Sequence, residues 1–247
     1  MSKFTSYKKA SIGGFIYFGS GGDLLEKIDI FKDIAERTGG DIYLGVVGAV
    51  RTGKSTFIKK FMELVVLPGM HSEAEKSRAI DELPQSAAGR TIMTTEPKFV
   101  PNQAAQIQVD EGLEVNIRMV DCVGYTVPGA KGYEDENGPR MIHTPWYDEP
   151  IPFHEAAEIG TRKVIQDHST LGVVVTTDGS IGEIPRSDYI EAEERVVEEL
   201  KEVGKPFIMI VNTVSPYHPD TEVLRSKLQE KYDIPVLAMS IESMREG

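Results

Sequence analysis

Gly48-Ala49-Val50-Arg51-Thr52-Gly53-Lys54-Ser55 fills every fixed position of a Walker A phosphate loop, and its flanks decide the fold. Ahead of it, Asp41-Ile-Tyr-Leu-Gly-Val-Val47 is a short apolar run of the kind that forms a buried strand. Behind it, Thr56-Phe-Ile-Lys-Lys-Phe-Met-Glu-Leu-Val carries apolar residues at Phe57, Phe61, Leu64 and Val65, the spacing of one helix face. Strand, glycine-rich turn and helix in that order give the pattern a mechanism. The glycines let consecutive N–H groups converge on a phosphate with no Cβ in the way, and the helix N-terminus adds favourable partial charge. Lys54 is placed to reach the β- and γ-phosphates and the Ser55 hydroxyl to ligate Mg²⁺. A chance match of the four fixed residues has odds on the order of one per cent in a chain of this length. The flanks lower those odds further, and residues 48 to 56 are expected to bind a nucleoside triphosphate.

The chain has 247 residues, enough to bury a full core as one large domain, or one domain with an appendage. Its net charge of −12 argues against nucleic acid as the main partner, because a polyphosphate backbone calls for a basic face. A lone Cys122 excludes a disulfide framework and suits a reducing cytoplasm. No run approaches the roughly 18 apolar residues that span a bilayer, and no secretory signal pattern opens the chain. The first 22 residues differ from the rest: with Lys3, Lys8 and Lys9 and no acid they carry +3, against −15 for the remainder. They hold Ile-Gly-Gly-Phe-Ile-Tyr-Phe at 12 to 18 and then Gly19-Ser20-Gly21-Gly22. This piece reads either as a tag or fused peptide on a flexible linker, or as a basic, apolar arm that touches a membrane or partner. Residues 23 to 247 are then the P-loop domain.

Along that domain, residues 23 to 37 have the spacing of an amphipathic helix, with Leu24, Ile28, Phe31 and Ala35 on one face and Gly39-Gly40 as the stop. The helix after the phosphate loop ends near Pro68, and Ser72-Glu-Ala-Glu75 is a capping box opening a polar helix to about Leu83. Residues 84 to 97 are a hydroxyl-rich loop without apolar period. Residues 97 to 109 and 113 to 120 read as adjacent strands, the second strictly alternating and aimed at Asp121. Residues 125 to 152 are rich in Gly and Pro, too long for an ordinary connection and therefore expected to be functional. A helix at 153 to 168, a buried strand at 171 to 177, a charged helix at 188 to 203 closed by Gly204, strands at 207 to 211 and 236 to 240 and a helix near 220 to 232 complete the pattern. Strand and helix alternate, so the expected fold is α/β, a mainly parallel sheet with helices on both faces in three layers.

Asp121-Cys122-Val123-Gly124 closes a strand as a Walker B aspartate does, in the D-x-x-G form of GTPase-like P-loop proteins. Asp121 would hold Mg²⁺ through water and the Gly124 N–H would sense the γ-phosphate. Thr91, Thr94 and Thr95 lie between the two motifs, where a switch segment lends a hydroxyl to Mg²⁺ or to water; the plainer reading is Thr–backbone bonding in a turn. The base-reading place departs from the GTPase pattern. Where N-K-x-D puts a carboxylate that accepts from both donors of the guanine edge, this chain has Asn212-Thr213-Val214-Ser215. A serine hydroxyl cannot accept in that bidentate way, and Thr213 lacks the lysine stem that packs over the base. ATP is therefore the expected nucleotide, with Asn212 and Thr213 beside it. The residue after Gly124 is Tyr125, not a water-orienting Gln. Hydrolysis must recruit another group, from the threonine loop or from a neighbouring subunit.

These motifs, with Asp29-Ile-Phe-Lys-Asp-Ile-Ala-Glu-Arg-Thr-Gly-Gly40, Thr94-Thr-Glu-Pro-Lys-Phe-Val-Pro101 and Asp121-Cys-Val-Gly-Tyr-Thr-Val-Pro-Gly-Ala-Lys-Gly132, resemble the N-terminal ATPase domain of the stage IV sporulation protein A family. The resemblance covers roughly residues 25 to 246. It implies a P-loop NTPase of GTPase-like (TRAFAC) type, a morphogenetic protein of the bacterial spore coat that hydrolyses ATP with Mg²⁺. It implies that hydrolysis drives self-assembly into a basement layer around the forespore, on the mother-cell side of its outer membrane. The implied partners are further copies of itself, a small amphipathic membrane-bound sporulation peptide and coat morphogenetic proteins, with membrane contact indirect. Lys54 becomes the Walker A lysine, Asp121 the Walker B acid, and Thr94 and Thr95 paired sensor threonines, Thr95 with Ser55 and Asp121 at the metal. The family continues about as long again past residue 247 and lacks the basic arm, so the chain reads as an engineered fragment.

Two rivals stand beside the assembly ATPase: a nucleotide-controlled binding switch, and a structural module that has lost its chemistry. Intact Lys54, Ser55 and Asp121 oppose the second. His71, His143, His154, His168 and His218 have no metal-ligand spacing and read as surface or structural. The acids between 191 and 202 read as the solvated face of a helix buried through Val196, Val197 and Leu200. Trp146 with Tyr147 is either an exposed anchor or a cover for the core.

Overall fold

Strand β1 (Asp41–Val47) runs up the middle of a six-stranded sheet and delivers the chain to the phosphate loop at its carboxyl end. The computed structural model describes residues 40 to 84, 96 to 110, 113 to 135 and 138 to 244. Helix α1 (Lys54–Phe61) follows the loop and runs on through a π-type turn, Met62–Val66, to Leu67–Gly69. Helix α2 (Glu73–Asp81) opens where the capping box predicts, with Ser72 Oγ accepting from the Glu75 N–H at 3.3 Å. Strands β2 (Lys98–Asp110) and β3 (Leu113–Asp121) pair antiparallel, in keeping with two strands that lie next to each other in sequence.

Residues 125 to 152 are not a plain loop. They hold two small hairpins, β4 (Glu134–Asp135) with β5 (Gly138–Pro139) and β6 (Met141–Thr144) with β7 (Tyr147–Pro152). The prolines and glycines break the alternation that would have announced such short strands. Helix α3 (Phe153–Lys163, continued by a π-type turn at Val164–His168), β8 (Leu171–Thr177), α4 (Arg186–Val203), β9 (Phe207–Asn212), α5 (Pro219–Tyr232) and β10 (Val236–Met239) complete the described chain.

The sheet order is β10-β9-β8-β1-β3-β2, parallel except for β2. Because β1 lies between β3 and β8, connections leave it in opposite directions. Its carboxyl end is a topological switch point, the place where an open α/β sheet leaves a crevice for ligands. The strand residues divide between two cores. Val173 and Val175 pack with Phe57, Phe61 and Met62 of α1, while Val174 packs with Val196 and Leu200 of α4 and Leu228 of α5. Helices therefore cover both faces, and burying each such Leu or Val contributes about 1.5–3 kcal/mol.

The acidic run of α4 needs correcting. Glu193 is 3% exposed, accepting from Thr176 Oγ at 2.6 Å, Tyr232 Oη at 2.9 Å and Arg186 Nη2 at 2.8 Å. Glu199 also turns inward, to Tyr125. Trp146 is half-buried with Lys163 against its ring, whereas Tyr147 is exposed. The helix expected at residues 23 to 37 and the basic arm lie outside the described residues, as do Thr91, Thr94 and Thr95. Among the described residues no helix is long and apolar enough to cross a membrane.

Candidate nucleotide site

The phosphate loop is fixed by backbone approaches that only glycine permits. Gly48 has φ 141°, and a Cβ there would stand 2.3 Å from the Val175 carbonyl oxygen on β8. Gly53, with φ 98°, precedes α1 without a side-chain cap. The first-turn N–H groups of α1 are thus left for an anion, where the helix dipole favours negative charge. Inside the loop Ala49, Val50 and Thr52 are buried, with Thr52 Oγ donating to the Ala49 carbonyl at 3.0 Å. Ser55 and Arg51 are exposed, and Thr56 is half-buried in the first turn of α1.

The D-x-x-G segment is stitched to this loop. Val50 N–H donates to the Tyr125 carbonyl at 2.8 Å and Tyr125 N–H to the Gly48 carbonyl at 3.2 Å. Gly124 has φ 93°, and a Cβ there would come within 2.2 Å of the Gly48 oxygen and 2.5 Å of Lys54 Nζ. The Lys54 ammonium and the Gly124 backbone are thus immediate neighbours.

Lys54 is 5% exposed and its Nζ donates to the Ala49 carbonyl at 2.6 Å. Burial pushes the ammonium below its ordinary range, with Cys122 and Asp121 opposing. Burial also raises the Cys122 thiol to about 11, so near neutral pH Cys122 is uncharged. The Asp121 carboxyl is itself raised by burial, against a hydrogen bond from Ser55 and the charge of Lys54. Ser55 Oγ donates to Asp121 Oδ2 at 2.7 Å, and Asp121 Oδ1 is buried with no hydrogen-bond partner. An orphaned carboxylate oxygen beside a hydroxyl fits a hard cation that takes oxygen ligands, retains water and binds with substrate phosphates. Among the described residues no cluster of three His, Cys, Asp or Glu could hold a metal.

Tyr125 leaves the pocket altogether. It is 2% exposed, its hydroxyl donates to Glu199 Oε2 at 2.5 Å, and the Arg195 guanidinium lies 4.4 Å from its ring centroid. The side chain after Gly124 therefore has no access to an attacking water. On the base side, Asn212 Nδ2 donates to the Thr52 carbonyl at 3.0 Å and its Oδ1 accepts from Ile241 N–H at 3.2 Å. Thr213 is fully buried, donating to Asp178 Oδ2 at 2.6 Å and accepting from Ser215 N–H at 3.2 Å. Although burial works against it, hydrogen bonds from Ser180 and Thr213 hold the Asp178 carboxyl below its usual range. Asn212, expected beside the nucleotide from sequence, bonds the phosphate loop and the turn after β10, and Thr213, expected there too, bonds Asp178. Asp178 and Ser180 escaped sequence reading, since a strand-end Asp-Gly-Ser looks like an ordinary turn.

The match to a family model spans residues 25–247 and is to the stage IV sporulation protein A ATPase domain. Stage IV sporulation protein A of Bacillus anthracis is 84% identical over 222 residues, which is 90% of this chain and 45% of that protein. The protein of the same name from Bacillus subtilis (strain 168) is 82% identical over 90% of this chain and 45% of its own length. That from Clostridioides difficile (strain 630) is 55% identical over 88% and 44%. The chain thus spans about half the length of the curated relatives it matches. Among solved structures, Aquifex aeolicus Era superposes with TM-score 0.44 and 14% identity over 82% of this chain and 52% of its own, too loosely to carry an argument. The chain belongs to the stage IV sporulation protein A family, by way of that family's ATPase domain.

Proposed function

We propose that the chain binds ATP with Mg²⁺ and hydrolyses its β–γ phosphoanhydride, and that in the longer protein this turnover drives self-assembly of the spore coat basement layer around the forespore. The observation that carries the reading is the clustering of Lys54 with Gly124 and of Ser55 with Asp121, with Asp121 Oδ1 buried and unpartnered among the described residues. Backbone N–H groups of residues 48 to 55 would cradle the phosphates, and Lys54 would leave the Ala49 carbonyl for the β- and γ-phosphate oxygens. Ser55 and Asp121 would hold Mg²⁺, which would neutralise charge on the phosphates. Thr94 and Thr95 keep their proposed roles, positioning water and, for Thr95, approaching the metal. Adenine is favoured because the exposed Ser215 offers the guanine edge no carboxylate and Thr213 is committed to Asp178. By membership of the family, the place of action is the mother-cell side of the forespore outer membrane. The proposed partners are further copies, a small amphipathic membrane-bound peptide and coat morphogenetic proteins.

The rival is a binding switch that hydrolysis merely resets. Anchoring of Tyr125 to α4 weighs against it, because the segment after Gly124 is tied back rather than left to swing. Steady-state phosphate release with ATP tests the proposal. Lys54→Ala should lose ATP binding at least tenfold, since a charge-assisted contact of about 1.5–3 kcal/mol goes with the ammonium. Equal ATP affinity in variant and parent would sink the assignment.

A further inference from the structure

Arg51 stands apart from every other arginine among the described residues. The others each meet an acid, an amide or an aromatic ring. Arg51 is exposed and makes none of these contacts among the described residues. It also has φ 63°, a left-handed conformation that L side chains with a Cβ rarely adopt. The other described non-glycine residue with positive φ, Asp233, closes helix α5, where such a residue is commonplace. Arg51 closes nothing.

Its conformation is imposed from both sides. Val50 N–H is held by the Tyr125 carbonyl at 2.8 Å. Thr52 is held through its hydroxyl on Ala49 at 3.0 Å and through its carbonyl by Asn212 Nδ2 at 3.0 Å. Three elements over-determine the backbone on either side of one strained arginine, which is how strain persists at a functional site. The residue sits between the two loop glycines, Gly48 and Gly53, in the turn that on the proposed function would cradle the phosphates. Its charge is felt by the buried Tyr189 phenol at the start of α4, and no carboxylate among the described residues neutralises it.

We infer that Arg51 is a catalytic cation supplied in cis: its guanidinium folds over the polyphosphate bound in its own loop and stabilises the charge that develops there during hydrolysis. The inference rests on the ATPase reading and deepens it. In the step, a water oxygen bonds to the γ-phosphorus while the bond from that phosphorus to the β–γ bridging oxygen breaks. The electron pair goes to the β-phosphate, ADP leaves, and the water proton ends on inorganic phosphate or solvent. A planar cation with several donors suits the oxygens that gain charge in this step, more in the transition state than in bound ATP. Lys54 cannot cover all of them from one ammonium, and Tyr125 faces Glu199 on the other side of the loop.

The test uses the 247-residue chain with Arg51→Ala, Arg51→Lys and Arg51→Gly, reading ATP and ADP affinity, kcat, thermal midpoint and the tightening of ADP by aluminium fluoride, a mimic of the transferring phosphoryl group. ATP and ADP should bind within about threefold of the parent while kcat falls roughly 10²–10³-fold in all three variants, the scale of a lost transition-state cation. The aluminium fluoride effect should vanish, and free guanidinium should restore part of the rate to Arg51→Ala. Arg51→Gly should melt above the parent, because glycine relieves the left-handed strain; a purely structural residue would lose stability and activity together. Unchanged kcat, or parallel loss of midpoint and ATP affinity, overturns the inference. So does recovered activity in a mixture of Arg51→Ala with Lys54→Ala, which would place the arginine in trans. A parent chain that releases no phosphate would sink the ATPase reading and the inference with it, whereas the other adverse results sink the inference alone.

Discussion

Replacing Asn212 with alanine removes a side chain that ties the phosphate loop to the turn after β10. Two hydrogen bonds go, Nδ2 to the Thr52 carbonyl at 3.0 Å and Ile241 N–H to Oδ1 at 3.2 Å, at a residue 7% exposed. Each buried backbone group left without a partner costs about 1–3 kcal/mol. The sum is roughly 2–6 kcal/mol, toward the lower end where water enters the gap. For a domain of this size each kcal/mol moves the thermal midpoint by about 2–4 °C, so a drop of about 5–15 °C is expected. Part of the same cost must be met again when a ligand reorders the loop. If about 1–2 kcal/mol of it appears in binding, affinity falls roughly 5–30-fold.

The choice of ligand separates the brace from a base reader. A brace acts through Thr52 and the loop, so Asn212→Ala should weaken ATP, GTP and inorganic tripolyphosphate by a similar factor, each titrated with Mg²⁺ at one ionic strength. A residue that reads the base would leave tripolyphosphate untouched. Unfolding in guanidinium with an unchanged midpoint, or a loss confined to ATP, would refute the bracing role.

Two further substitutions probe the pocket. Gly124→Ala forces a Cβ to within 2.2 Å of the Gly48 oxygen at φ 93°, and should cost about 2–5 kcal/mol from left-handed strain and overpacking, together with ATP binding; a variant with parental midpoint and affinity would show the loops are looser than this. Asp121→Asn should raise the midpoint of the ligand-free protein while weakening its Mg²⁺-dependent stabilisation by ATP. The sign follows from the raised Asp121 carboxyl: folding favours its protonated form, and that contribution is lost as pH rises from the ordinary value of 3.8 through the folded one. The midpoint difference, variant minus parent, should therefore be near zero in acid and grow toward neutral pH; a difference flat with pH would rule this out.

The sheet was legible because its strands are short apolar runs bounded by turn residues, and β8 is buried along nearly its whole length. Lys54, Ser55 and Asp121 were legible because their motifs carry their own spacing. Glu193 could have been read correctly as well. Tyr189, Ala192, Val196, Val197 and Leu200 define one helical stripe, and residue 193 falls inside it. A polar residue there should be expected to be buried with partners, which come from β8, α5 and its own helix. Asn212 is a different case. Its partner on the phosphate loop is 160 positions away, and no local pattern distinguishes a strand-end asparagine that reads a base from one that ties down a loop. The hairpins between 125 and 152 were hidden for a third reason, since two-residue strands such as β4 and β5 are shorter than the period that would reveal them.

The site is costly to the fold on its own, and that cost explains its dependence on bracing. Burial pushes Lys54 toward its neutral form and Asp121 toward its protonated form, so both are held where their charged states are disfavoured. Among the described residues Lys54 Nζ is met by the Ala49 carbonyl and Asp121 Oδ1 by no hydrogen-bond partner. A chain selected for stability alone would expose or replace both. They are kept in place by neighbours committed elsewhere: Tyr125 to Glu199, Asn212 to Ile241, Thr213 to Asp178. On the proposed function, polyphosphate would add negative charge beside Lys54, and a divalent cation would meet the Asp121 carboxylate oxygen. On that reading each ligand would offset a burial cost borne by one of the two charged groups, and each would favour binding of the other. Braces on three sides keep the pocket from collapsing to recover those penalties before the ligands arrive, which is what preorganisation means for a buried pair of charges.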